Sequence, residues 1–239
     1  MKKKIGFYGY PPEDRIAFYK NQGYQFLDLD IDFNTPDLGL VPATTCQIIK
    51  NIIYNAFFYK DDLELILATT GEDKCDSGRF AAWFLQRYGF KVEYTHNTNL
   101  KRRPIVVCDS DLPLVDKINT IMDSIVIDSK KGKVFKPLQK PSVGFWGVPP
   151  HDFDLLELFP STTAIYGWIR CVEAGTPSDL ELETFVEAGV KTVFFTQSFC
   201  TKGLLAKELA EKHQGLYIDQ EKKTTHSLKA KIQAFLRLC

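Results

Sequence analysis

The chain has 239 residues, 44% of them hydrophobic and 25% charged, which suits one large or two small globular domains. Its 30 Lys and Arg balance 30 Asp and Glu, so no net basicity points to nucleic acid and no acidic tail to a solvating segment. No apolar run approaches the roughly 20 residues that span a membrane, and Met1-Lys2-Lys3-Lys4 leads straight into a strand-like run without a signal-peptide core, so the expectation is a cytoplasmic protein with no membrane partner.

In chain order, Lys4–Tyr8 reads as a short strand. Pro11-Pro12-Glu13-Asp14 opens a helix, because proline is tolerated in a first turn and acidic residues suit the helix dipole; Gly23 ends it. Gln25–Asp28 is the next strand, and Ile31–Val41, with Asn34, Pro36 and Gly39, is a loop. Thr44 or Thr45 is expected to cap a helix reaching about Phe58, with Ile48, Ile49, Ile52, Ile53 and Phe57 on its apolar face. Leu63–Ala68 is a continuous apolar strand of the buried kind. Asp76 or Ser77 is expected to cap a helix over Gly78–Tyr88, followed by strands at Lys91–Tyr94 and Pro104–Cys108. A connector follows, with a helix over Leu114–Asp123 and a hairpin between Ile125–Ile127 and Val134–Phe135.

The opening pattern then returns. Gly6-Phe7-Tyr8-Gly9-Tyr10-Pro11-Pro12-Glu13-Asp14 and Gly144-Phe145-Trp146-Gly147-Val148-Pro149-Pro150-His151-Asp152 agree at six of nine positions. Leu63–Thr70 before Cys75 parallels Lys191–Thr196 before Cys200, and each is followed by a helix, a glycine and a short strand (Val92–Tyr94, Leu216–Ile218). Ser227–Leu238 is a closing amphipathic helix with Leu228, Ile232, Phe235 and Leu236 inward. The expectation is an α/β protein of two similar Rossmann-like lobes, residues 1–136 (with the connector) and 137–239, each a mostly parallel sheet flanked by helices and related by internal duplication.

Six cysteines without a secretion signal argue against a disulfide framework and leave core thiols or metal ligands. Cys108, Cys171 and Cys239 read as small core residues. Cys46, Cys75 and Cys200 instead fall where helices begin, positions that favour negative charge and line the ligand-binding edge of a parallel sheet. No CxxC spacing and no histidine at ligand spacing supports a zinc site. Gly-Phe-Tyr-Gly lacks the dinucleotide fingerprint, so it reads as a tight turn.

The chain resembles the 2-hydroxyacyl-CoA dehydratase / benzoyl-CoA reductase family over nearly its whole length. Residues 6–14 are similar to the family's strand and Pro-Glu-Glu helix start; Cys46, Cys75-Asp76 after Leu63–Thr70, and Ser198-Phe199-Cys200 after Val193-Phe194-Phe195 match the settings of its cluster cysteines. Asp111-Leu112-Pro113 and Lys231-Ile232-Gln233-Ala234-Phe235-Leu236 resemble its domain end and its closing helix, although Arg237 stands where the family usually has an acidic residue. The resemblance implies a [4Fe–4S] cluster, or a double-cubane cluster, on Cys46, Cys75 and Cys200, gathered in a cleft between the lobes. It also implies a homodimer or a heterodimer with a related subunit, an ATP-dependent activator protein, and a reductase- or dehydratase-like enzyme, or its accessory subunit, of anaerobic metabolism. Family subunits are longer, and the missing length falls between Pro113 and Ser142, where they carry the helices that enclose the acyl-CoA. The expectation is therefore low-potential electron transfer or a reductive step without acyl-CoA dehydration by this chain alone. Two readings stay beside it: a non-catalytic cluster carrier or assembly partner, and a cluster-free duplicated protein holding a small ligand between its lobes.

Overall fold

The structure, a computed structural model, describes residues 3–72, 74–177, 179–220 and 223–237. The chain divides into two compact units, residues 1–98 and 99–239. The first contains β1 (Lys4–Tyr8), α1 (Glu13–Asn21), β2 (Gln25–Asp28), α2 (Gln47–Phe58), β3 (Leu63–Thr69), α3 (Asp76–Arg87) and β4 (Val92–Thr95). The second contains α4 (Leu114–Asp123), β5 (Val143–Gly147), a 3-10 turn (Phe153–Leu158), β6 (Thr163–Tyr166), α5 (Trp168–Ala174), α6 (Leu180–Thr184), β7 (Lys191–Gln197), α7 (Gly203–Lys212), β8 (Leu216–Gln220) and α8 (His226–Arg237).

Each unit has one four-stranded, all-parallel sheet, ordered β2-β1-β3-β4 in the first and β6-β5-β7-β8 in the second. The expected α/β architecture of two similar lobes is present, and the repeated nonapeptides open equivalent strands, β1 and β5. Strand pairing places Tyr8 opposite Ala68 and Trp146 opposite Phe194 at matching positions. Both aromatics are fully buried and use a polar tip to hold a helix: Tyr8 Oη donates to Gly78 O (2.8 Å) and Trp146 Nε1 to Glu183 O (2.7 Å). A buried Tyr or Trp needs such a partner, which explains why this position tolerates these two aromatics.

Four expectations are corrected. Helices α2 and α3 are capped by Cys46 and Cys75, not by Thr44, Thr45, Asp76 or Ser77; both cysteines have extended backbones that hand over to the first helical residue. Residues 104–108 are no strand. The Val106, Val107 and Cys108 amides donate to the buried Glu173 carboxylate (3.1, 2.8 and 2.7 Å) instead of to a neighbouring strand. No hairpin forms after α4: residues 125–127 turn back on the helix end through Ile125 N→Met122 O and Ile127 N→Asp123 O, and the pairing in this stretch is one antiparallel bridge, Ser110 with Pro137.

The division between the compact units falls after residue 98. The connector is bonded along its length to the second unit: Asn99 to Gly175 O (2.8 Å), Arg102 to Asp179 (2.5 and 2.9 Å), Arg103 N to Ala174 O (2.8 Å), and Asp109 to Arg170 (2.7 and 2.8 Å). Lys117 of α4 is fully buried and donates to Thr163 O (2.5 Å), so α4 is fastened beside β6; burial lowers its pKa to about 8.

Candidate functional site

In an open parallel sheet, ligands bind outside the carboxyl ends of the strands, where strand order reverses. That point lies between β1 and β3 in the first unit and between β5 and β7 in the second. The loops there are the Pro-Pro segments and the stretches leading to α3 and α7.

In the first unit this edge is charged. Asp30, just beyond β2, accepts from the Gly9 amide (2.5 Å) and from Lys74 Nζ (3.0 Å), whose ammonium also lies 5.6 Å from the Tyr8 ring centre. Asp28 at the end of β2 accepts from the Asp30 amide (2.9 Å). Burial, and then the neighbouring Asp30 charge, push the Asp28 carboxyl up to about 8, against the Asp30 amide and Lys74. Asn51 of α2 donates to Asp30 O (3.0 Å), and Asn55 to Leu29 O (3.0 Å) and Ile31 O (2.7 Å), so α2 holds the loop after β2.

In the second unit the turn after β5 is tied by a histidine and an amide. His151, which replaces Glu13 of the repeat, bonds through Nε2 to Gln197 Oε1 (2.8 Å), and Gln197 Nε2 donates to Pro149 O (3.3 Å). Ser198 Oγ donates to Asp219 (2.7 Å). Phe199 is held in the left-handed region (φ 63) and is 62% exposed. A non-glycine residue held there costs energy, as it does at Asn34 (φ 54) and Gln214 (φ 53). Lys202, before α7, pairs with the Glu183 carboxylate.

The candidate cysteines take distinct places on this frame. Cys46 and Cys75 occupy the N-cap positions of α2 and α3; their carbonyls accept from Lys50 N (3.2 Å) and Gly78 N (2.9 Å), and their side chains make no capping hydrogen bond. Cys200 lies in the turn before α7, where its amide donates to Gln197 O (3.0 Å) and its carbonyl accepts from Gly203 N (3.0 Å). All three are part-exposed, whereas Cys108 and Cys171 are fully buried, with thiols pushed well above the ordinary range by desolvation first and by nearby acids second. Cys239 lies outside the described residues. Two of the candidates belong to the first unit and one to the second. Among the described residues, no three His, Cys, Asp or Glu side chains form a group that could hold a metal ion. The donor chemistry nevertheless suits an iron–sulfur cluster: thiols, part-exposed, at helix starts.

The sequence reading missed the Asp28–Asp30–Lys74 network and the His151–Gln197 pair. The replacement of Glu13 by His151 inside an otherwise repeated motif was the one available signal. No helix among the described residues is long and apolar enough to cross a membrane. Neither a protein-family model nor a curated protein matches the chain.

Proposed function

We propose that the chain is an iron–sulfur protein in which Cys46, Cys75 and Cys200 supply thiolates to a [4Fe–4S] or double-cubane cluster. One observation carries this reading: of the five described cysteines, the three part-exposed ones lie where a helix is entered, Cys46 and Cys75 as N-cap residues and Cys200 in the turn before α7, while the two buried ones do not. A cluster on such ligands supplies one-electron transfer at low potential. The chain's own contribution is to fix the thiols on the first turns of packed helices, α2 and α3, and on the tight turn before α7. Electron transfer or a reductive step fits the connector better than acyl-CoA dehydration. After Pro113 it offers one ten-residue helix, α4, and turns, which is little with which to enclose a thioester and exclude water. In this reading an activator protein delivers the electron, and a second subunit, identical or related, completes the enclosure.

The experiment is anaerobic reconstitution followed by dithionite reduction, electron paramagnetic resonance, and an assay of 2-hydroxyacyl-CoA dehydration with an activator but no other subunit. A reduced-cluster signal without dehydration is the expected result. Turnover that disappears in Cys75→Ser would overturn the non-dehydrating part, and absence of any cluster signal would overturn the whole. A cluster-free protein holding a small ligand is the competing reading, favoured by the lack of a metal-holding group among the described residues.

A further inference from the structure

Helix α3 buries one face and exposes its opposite. Gly78, Ala81, Ala82 and Leu85 are buried in the first unit's core. At 100° per residue, Asp76, Phe80, Trp83 and Arg87 fall within one narrow stripe on the far side. This stripe is exposed, Phe80 at 59% and Trp83 at 54%. Trp83 contrasts with the other tryptophans, Trp146 and Trp168, which are 0% and 7% exposed. Two large aromatics at i and i+3 on the solvent face of a helix cost solubility and contribute nothing to its own core, and aromatic and Arg side chains are the residues that anchor protein interfaces. Arg87 lies against the Trp83 ring at 5.1 Å, and among the described residues no carboxylate pairs with it; Arg79 pairs with Asp76 at 2.8 Å.

The stripe reads Asp, Phe, Trp, Arg toward the carboxyl end, and that order is self-complementary when two copies run antiparallel. With the two-fold axis between Ala81 and Ala82, position 76 faces position 87 of the second copy and position 80 faces position 83. Asp76 then meets Arg87 twice, and Phe80 meets Trp83 twice. Such an isologous contact is what a two-fold homodimer requires, and antiparallel helices also oppose their dipoles favourably. A helix of 12 residues is about 18 Å long, so the contact is small and the dimer weak.

We propose that the outer face of α3 is a homodimerisation surface, with a second copy of this chain as its occupant, packed antiparallel through Asp76, Phe80, Trp83 and Arg87. This proposal does not depend on a bound cluster.

The test uses the full chain in sedimentation equilibrium over a concentration series, with circular dichroism as a check on folding. Wild type is expected to dimerise reversibly, with Trp83 fluorescence losing acrylamide quenching as the dimer forms. Trp83→Ala is expected to raise the dimer Kd by tenfold or more. Asp76→Lys and Arg87→Glu, each alone, place like charges across the axis and are expected to abolish self-association. Mixed one to one, the two variants restore opposite charges at both ends of the contact, so a heterodimer is expected. A wild-type monomer at all concentrations, a dimer indifferent to these substitutions, or two single variants that fail to associate on mixing would each overturn the proposal.

Discussion

The two units share a strand order and a nonapeptide, yet they treat the same sheet edge differently. In the first, the turn after β1 is tied by an ionised network, Gly9 N–Asp30–Lys74, with Asp28 beneath it. In the second, the turn after β5 is tied by His151–Gln197–Pro149 O, the Lys202–Glu183 pair stands before α7, and a further carboxylate, Glu173, takes three connector amides and Lys130 (2.8 Å). The repeated residues are those the scaffold needs, Gly-Phe-aromatic-Gly and Pro-Pro. Where Glu13 gives way to His151, the new side chain bonds to Gln197 at the end of β7. A duplicated scaffold keeps its turns and lets its site chemistry diverge, as expected when function resides in loops carried on rigid sheets.

The largest expected effect tests the Glu173 carboxylate of the second unit. Glu173→Ala leaves three amides, two of them buried, and the Lys130 ammonium without their acceptor, and should cost about 3 kcal/mol or more. Urea unfolding followed by fluorescence of the buried Trp146 and Trp168 should report that loss. A loss below about 1 kcal/mol would mean water replaces the carboxylate easily.

Next come the paired glycines. A Cβ on Gly147 (φ 150) would lie 2.3 Å from the backbone oxygen of Phe195, whereas one on Gly9 (φ 71) would meet the Lys74 and Thr69 side chains at 2.7 and 2.9 Å. Gly147→Ala should therefore cost about 3 kcal/mol and Gly9→Ala clearly less, since a lysine end can move and a sheet carbonyl cannot. Equal losses would show that the second turn is looser than its geometry.

A smaller effect distinguishes charged from neutral ties. Asp30→Asn keeps an acceptor for the Gly9 amide but strips Lys74 of its counter-charge, for about 1 kcal/mol; Gln197→Ala should cost about the same. The Asp30→Asn loss should shrink in high salt and the Gln197→Ala loss should not.

The gentlest test is pH. The folded-state pKa of Asp28 is raised to about 8, so the native first unit holds a proton that the unfolded chain releases near the ordinary value of 3.8. Its contribution is flat below that value and declines as pH rises toward 8, with a slope of up to about 1.4 kcal/mol per pH unit. Glu173 behaves oppositely. Its pKa is lowered although burial, the largest influence, opposes the shift: its bonds to Cys108 and Lys130 outweigh that burial. Its stabilisation is thus present above the ordinary carboxylate range and lost as pH falls through the folded value. Asp28→Asn should flatten the first unit's dependence, read by Trp83 fluorescence, and leave the second unit's unchanged.

Much of the fold was legible in the sequence where local signals are strong. The bounds of β1, β2 and α4 follow from a short apolar run, a glycine stop and an amphipathic stretch after Pro113. Helix α5 was invisible for a physical reason: six of its seven residues are buried, so Trp168–Ala174 has no polar face to set a period. Residues 104–108 resembled a strand because their composition is right, but their amides are satisfied by a carboxylate 65 or more residues away, which local pattern cannot announce. For the candidate site, placement at helix starts was readable for Cys46 and Cys75, since each follows a strand–loop signal, whereas the ties around them depend on Asp30 and Gln197 meeting partners distant in sequence.

The central claim concerns three thiols, and the most direct measurement is iron and acid-labile sulfide per chain after anaerobic reconstitution, for wild type and for single Ser variants. The account predicts about four irons and four sulfides per chain for a [4Fe–4S] cluster, or twice that for a double cubane. It predicts loss in Cys46→Ser, Cys75→Ser and Cys200→Ser, and retention in Cys108→Ser and Cys171→Ser. Iron-free wild type, or full iron retention when Cys46, Cys75 and Cys200 are all replaced, would contradict it.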